Sequence, residues 1–254
     1  PVDFAGAAVD MEAFRLLADE FNLFLLEDSC HAPGGYFVDS EGQKQNCGNC
    51  AFADAAIFSF HPVKHIACGE GGMITTNDQK LYKKLIRLRT HGITKDPKEL
   101  NKNDGGWYYE MHDLGYNYRL SDISAALGLS QLERAAKNLT IRRDIAANYA
   151  KSFKTMNEVQ FMNNNDNGHA YHLAVIKAEK RNDLYDYLKK NHIYTQVHYI
   201  PVHLHPYYQL KYGFQVGDFP KAEDYYNKGL SLPIYPTLTY EENSFIIDKV
   251  KSFF

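Results

Sequence analysis

Apolar residues at Met11, Phe14, Leu17, Ala18 and Phe21 recur at helical spacing and predict an amphipathic helix over Asp10–Asn22. The continuous apolar run Leu23–Leu26 is short enough for a buried strand and ends in Glu27-Asp28. A Gly/Pro turn follows at Pro33-Gly34-Gly35. Two further short apolar runs, Ala55–Phe60 and Met73–Thr76, predict buried strands. Asn77 is placed to cap a helix running to about His91. Helix, strand, turn, strand, loop, strand, helix is an α/β pattern.

The stretch Gly92–Asp113 is polar and predicts a long loop, a feature that is usually functional or mobile in a compact domain. Ser121 can cap a long helix continuing past Arg142 towards Tyr149, with apolar positions Ile123, Ala126, Leu127, Leu129 and Leu132. Asn163–Gly168 (NNNDNG) reads as a loop. Next come a strand at His172–Ile176, a helix over Asn182–Lys190, a strand at Thr195–His198 and a helix at Pro220–Leu230. A short segment at Leu232–Ile234 follows. Thr239 with Glu242 forms a capping box for a last helix. The second half therefore reads as a smaller α+β domain, joined to the first by the long helix.

Composition narrows the class. Of 254 residues, 44% are hydrophobic and 23% charged, as in an ordinary globular protein, and the net charge of −3 points to neither nucleic acid nor an anionic membrane as partner. No apolar run approaches the length that spans a bilayer, and Pro1 does not open a signal peptide. The four cysteines, at 30, 47, 50 and 68, form no disulfide framework and suggest a reducing, cytoplasmic setting. Cys47-Gly48-Asn49-Cys50 is a lone CxxC with no second ligand pair for zinc.

Three features carry candidate chemistry. Asp28, in Glu27-Asp28-Ser29-Cys30-His31, stands at the carboxyl end of a buried strand, where open α/β sheets bind ligands. Lys64 leaves the end of another strand in Ser59-Phe60-His61-Pro62-Val63-Lys64-His65. Gly69-Glu70-Gly71-Gly72 allows close backbone approach. Singly, each has a plain alternative: a turn cap, a solvated lysine, a tight turn. Together they meet the needs of a pyridine aldehyde cofactor. A lysine of lowered pKa can form a Schiff base, a carboxylate keeps a ring nitrogen protonated, and the Ser59 hydroxyl can hold a phosphate.

EDSCHAPGG, FSFHPVKH with GEGGMITTN, and LGYNYRLSDISAALGLSQL, in this order, resemble the DegT-like sugar aminotransferases of fold type I, which use pyridoxal 5'-phosphate. HYIPVHLHPYY resembles the branch acting on UDP-linked 4-keto-6-deoxy-N-acetylhexosamines in pseudaminic acid synthesis. The resemblance implies a partial cofactor-binding large domain over 1–135, with a mixed, mostly parallel sheet, and a small α+β domain over 136–254. It implies that Lys64 is the Schiff-base and proton-shuttling lysine. Asp28 would be the ring-nitrogen partner, His31 a contact to the ring oxygen, and Ser59 a phosphate ligand. Asn117 would reach the phosphate of a neighbouring subunit, with Arg119 nearby, which implies a homodimer with shared active sites. His198, Tyr199, His203 and His205 would contact the nucleotide sugar, and an amino acid, by resemblance glutamate, would donate the amine. No metal is expected. The spacing of His198, His203 and His205 beside Pro201 and Pro206 is not helical and does not suit zinc.

Two other readings stay open. Sugar dehydratases of this family carry histidine in place of the lysine, and here Lys64 is present with His65 adjacent. The family also has a segment ahead of the block that Pro1 begins, holding a Gly/Thr phosphate turn and a ring that stacks on the pyridine. The chain is therefore expected to be a fragment with an exposed sheet edge and apolar patch. It would be poorly stable or inactive alone, or a non-catalytic sugar-binding subunit.

Overall fold

The structure, a computed structural model, describes residues 1–162 and 168–254; the NNND and following Asn of the expected 163–168 loop lie outside the described residues. In chain order the elements are α1 (Met11–Glu20), β1 (Leu26–Asp28), β2 (Tyr36–Val38), β3 (Lys44–Asn46), β4 (Ala55–Ser59), β5 (Gly72–Thr75), α2 (Gln79–Leu88), β6 (Ile93–Thr94), β7 (Glu110–Met111) and α3 (Asp122–Leu132). Then follow α4 (Ala135–Phe153), β8 (Val159–Phe161), β9 (Ala174–Ala178), α5 (Arg181–Lys190), α6 (Pro206–Tyr212), α7 (Pro220–Lys228), β10 (Gly229–Leu232) and α8 (Tyr240–Phe253). The chain divides into two compact units. The first holds Pro1–Asp3, Val9–Pro33 and Phe37–Arg134, and the second holds Phe4–Ala8, Gly34–Tyr36 and Ala135–Phe254.

The first unit is built on a mixed sheet of order β1-β4-β5. β1 and β4 are parallel, with Leu26 opposite Ala55 and Asp28 opposite Ile57. β4 and β5 are antiparallel, with Ser59 opposite Gly72. The strand expected at Leu23–Leu26 is displaced to Leu26–Asp28, and Leu23 and Phe24 are exposed. An apolar run does not choose a strand's bounds; the partner does. Pairing opens where Asp54 meets Leu25: Leu25 N donates to Asp54 Oδ2 at 2.6 Å and Asp54 N to Leu25 O at 2.9 Å. The cap of α2 is Asp78 rather than Asn77, since the Asp78 carboxylate accepts from Lys80 N and Leu81 N. Asn77 instead ties down the 47–50 loop by donating to Cys50 O at 2.9 Å. Large apolar side chains are exposed on this unit, including Leu16 and Leu17 of α1 and Phe21 just after it, Met73 and Ile74 of β5, and Ile123, Leu129 and Leu132 of α3.

Ser121 caps α3 by accepting from Ser124 N. The single long helix expected from there is two helices. At Glu133-Arg134 the helix tightens, with Arg134 N bonded to Gln131 O at 3.1 Å, and α4 starts afresh. No Gly or Pro marks this break. The loop after α2 is gathered by the two-residue pair β6–β7. At its base Gly92 (φ +71°) lies so near Asp113 that a Cβ would sit 1.7 Å from that carbonyl oxygen, and only glycine fits.

The second unit packs α4, α5 and α8 with the antiparallel sheet β10-β9-β8. Tyr149 and Phe153 (α4), Ile176 (β9), Leu184 and Leu188 (α5), Leu230 (β10) and Val250 (α8) are fully buried. Truncating one of the leucines to alanine costs about 2–5 kcal/mol in such a core. Arg142 is buried among them and its Nη1 donates to Tyr171 O (3.1 Å) and Ile234 O (3.0 Å). The strand expected at Thr195–His198 is reduced to one bridge, Gln196 to Ser231, and the strand at His172–Ile176 starts two residues later. The Thr239–Glu242 capping box is present on α8. β2, β3, β8 and α6 had no clear signal in the sequence.

Candidate active site

Two parallel strands end side by side. Asp28 closes β1 and Ser59 closes β4, so both side chains leave the carboxyl edge of the sheet. Ser29 N continues the ladder to Ile57 O at 3.0 Å. The loop after β4 is clamped by Phe60 N to Gly71 O and Cys68 N to Phe60 O, each 2.9 Å. Within it His61 N donates to Ser59 Oγ at 3.4 Å, and Lys64 N donates to His61 O at 2.9 Å. Lys64 is thus carried back towards the strand ends instead of out into solvent.

The electrostatics place Lys64, Asp28 and Cys30 together. Burial lowers the Lys64 ammonium from its ordinary range, while the charges of Cys30 and Asp28 oppose the shift. The Cys30 thiol is pushed up to about 12 by burial, by a hydrogen bond to Asp28 and by the Asp28 charge. Cys30 N donates to Asp28 Oδ1 at 3.0 Å, which fixes the carboxylate. Cys30 is a neighbour of Lys64 that the sequence did not single out. Its place two residues after Asp28, within the strand-end turn, is the only signal that could have done so. His31 is buried in the same turn, which Ala32 N closes on Ser29 O at 2.9 Å.

A second buried cluster lies directly behind. Asp3 and Glu27 are 0% and 3% exposed, and ligand-type atoms of Asp3, Glu27 and Cys47 lie within 4.8 Å of one another. Gly48 N donates to Glu27 Oε1 and Val9 N to Asp3 Oδ1, both at 3.0 Å. Burial, then the Asp3 charge, raises the Glu27 carboxyl from 4.5 to about 7. This donor set could receive a cation, but one proton shared by the two carboxyls already accounts for its charge. Cys47 and Cys50 are free thiols, and Cys50 Sγ is bonded to Thr75 O at 3.3 Å.

The remaining candidates are placed as follows. Asn117 is exposed and forms a bridge with Thr90, and the exposed Arg119 follows it. Tyr116 and Tyr118 stack at 4.8 Å on either side of Asn117 in the chain. In the second unit His198, Tyr199 and His205 line a cavity of about 300 Å³ with Gln196, Val197 and Ile200. His203 is not among them. It is 7% exposed, its Nε2 lies 2.8 Å from Glu223 Oε1, and its ring packs on Phe219. Its ring is committed to holding the loop ahead of α7, where Glu223 also accepts from Gly217 N.

The order and chemistry of these strand ends match one family model, that of the DegT/DnrJ/EryC1/StrS aminotransferases, over residues 1–251. The chain belongs to this family. The DegT-type aminotransferases depend on pyridoxal phosphate, and the fold is that of their solved structures. The chain is 38% identical over 259 residues to the spore coat polysaccharide biosynthesis protein SpsC of Bacillus subtilis, covering 99% of this chain and 65% of that protein. It is 33% identical over 257 residues to the UDP-4-amino-4,6-dideoxy-N-acetyl-beta-L-altrosamine transaminase of Campylobacter jejuni, covering 99% and 64%. Among solved structures it is similar to Helicobacter pylori PseC, an aminotransferase of pseudaminic acid biosynthesis. The TM-score is 0.86 at 32% identity, over 100% of this chain and 65% of that one. The chain thus spans just under two thirds of the length of the relatives it matches. Among the described residues no helix is long and apolar enough to cross a membrane.

The residues present fit the family's cofactor. A carboxylate and a hydroxyl close neighbouring strands, and a lysine whose charge is weakened by burial lies in the loop that follows, the donor set that a pyridine ring, an aldehyde and a phosphate require.

Proposed function

We propose that the chain carries the lysine-bearing part of a pyridoxal-phosphate aminotransferase. The enzyme would move an amino group from an amino acid, L-glutamate by family likeness, to C4 of a nucleotide-linked 4-keto-6-deoxy sugar. The sugar proposed is a UDP-2-acetamido-2,6-dideoxy-4-keto-hexose. The reading rests on the joining of Asp28, Cys30 and Lys64 at two parallel strand ends. The Campylobacter and Helicobacter relatives support the substrate class.

When bound, the cofactor supplies an electron sink that stabilises negative charge at the carbon bearing the amine. The chain's residues have the complementary tasks. Asp28 holds a proton at the ring nitrogen, and its carboxylate is kept in orientation by Cys30 N. Lys64 would hold the cofactor through its amine and serve as the base that carries a proton at Nζ, a task its burial suits by making the neutral amine more accessible. Ser59 donates to the phosphate; its oxygen already accepts from His61 N, which leaves its proton to the ligand. His31 would contact the ring oxygen. His198, Tyr199 and His205 would take the sugar nucleotide, and Asn117 with Arg119 would serve the site of a second subunit in a homodimer. The four thiols are unpaired, which suits a reducing cytoplasm.

The test is a visible spectrum of the purified chain with pyridoxal phosphate, before and after glutamate. The expected result is a band of the lysine-bound cofactor that glutamate converts to the amine form and that Lys64→Ala abolishes. Conversion by Lys64→Ala at the wild-type rate would refute the role of Lys64. A band that is lost with release of ammonia and without net transamination would favour a dehydratase. A folded chain that takes up no cofactor would favour a non-catalytic sugar-binding part.

A further inference from the structure

β10 reads Gly-Leu-Ser-Leu, and all four of its residues are buried. Ser231 is 6% exposed, opposite Val175 of β9 and between Leu230 and Leu232. A hydroxyl in such a strand is costly unless it is bonded. Its partner is the candidate site itself: Ser231 Oγ lies 2.8 Å from His198 Nδ1. The backbone of the same residue grips the same segment, with Ser231 N donating to Gln196 O at 2.8 Å and Gln196 N to Ser231 O at 3.2 Å. A rigid strand therefore holds the segment at Gln196 and the ring at His198, and Gln196 and His198 both line the 300 Å³ cavity.

We propose that Ser231 is a positioning residue for the nucleotide-sugar site. Its hydroxyl, bonded at Nδ1, fixes the ring orientation of His198 and leaves Nε2 to meet the sugar nucleotide. This rests on the reading that the cavity takes the sugar nucleotide. A purely structural serine would leave the affinity of the cavity unchanged in a folded variant; a positioning serine would not.

The experiment uses the 254-residue chain, with UDP-N-acetylglucosamine as the probe. Affinities are measured by calorimetry for wild type, Ser231→Ala, His198→Ala and the double variant, and hydrogen bonding at His198 Nδ1 is read from imidazole nitrogen chemical shifts. The expected result is a bonded Nδ1 in wild type and an Nδ1 bonded only to water in Ser231→Ala. The serine variant should bind about tenfold more weakly, the scale of one lost hydrogen bond. The double variant should bind no more weakly than His198→Ala. If His198→Ala loses affinity and Ser231→Ala binds as wild type, the positioning role is overturned and the cavity reading stands. If neither substitution alters binding, or wild type does not bind, the cavity reading fails and takes the inference with it. If Ser231→Ala does not fold, the wild-type shifts decide alone, because an Nδ1 without a hydrogen bond to the protein overturns the proposal.

Discussion

Replacing Glu27 by glutamine tests the buried carboxyl pair behind Asp28. In the unfolded chain Glu27 ionises near 4.5; in the folded chain burial and Asp3 hold it protonated to about 7. Between these values the folded state binds the extra proton, so stability falls as pH rises from 4.5 to 7 and is level above that. The shift corresponds to a cost on the order of 3 kcal/mol, fully present above pH 7. Glutamine keeps the shape, can still accept from Gly48 N, and offers Asp3 a donor in place of the shared proton. Glu27→Gln is therefore expected to match wild type at pH 5 and to exceed it by about 1–3 kcal/mol at pH 8. Urea unfolding at the two pH values measures this. His169 in the second unit titrates in the opposite sense, but equally in both proteins, and drops out of the difference. An equal gap between variant and wild type at pH 5 and pH 8 would show that Glu27 is not the titrating group.

Other outcomes follow from the same geometry. His169 is 1% exposed and burial, then Arg143, lowers it from 6.5 to about 4. It is neutral when folded, so its contribution is present above 6.5 and is lost as pH falls through 4; circular dichroism should record this acid loosening, and His169→Gln should remove it. Arg142→Ala removes the buried donor to the Tyr171 and Ile234 carbonyls and leaves a cavity in the core, and should cost about 3 kcal/mol in urea unfolding. Gly92→Ala drives a methyl into Asp113 O; hydrogen exchange at His91, His112 and Tyr116 should rise while exchange in the second unit is unchanged. Thr239→Ala removes one side of the α8 capping box and should cost about 1 kcal/mol, with no effect on cofactor uptake.

Elements with their own local signal were legible in the sequence. α1 has helical spacing, α8 has a capping box, and β4 and β5 are short apolar runs within one residue of their observed bounds. Elements that depend on a distant partner were not. β1 starts where Asp54 meets Leu25, and the Gln196 bridge exists only because Ser231 lies opposite. The break between α3 and α4 has no residue to announce it. In the candidate site, Asp28, Ser59 and Lys64 could be picked out because the chemistry demands those residue types at strand ends. Cys30 beside Asp28, Asp3 beside Glu27 and Ser231 beside His198 are ordinary residues whose importance arises only from packing. His203 shows the reverse case: a histidine within a candidate cluster whose ring the fold has turned to Glu223.

The pairing of β1 with β4 also sets which changes in chain length the site can absorb. Asp28 and Ser59 leave adjacent parallel strands, so the ladder, with strands some 4.8 Å apart, spaces them rather than the chain between. Insertions at the tip of hairpin β2–β3 should leave that spacing untouched. One residue removed from within β4 would turn every following side chain to the opposite face and take Ser59 and the Lys64 loop with it. Variation in length is thus open to the hairpin and closed to five residues of strand.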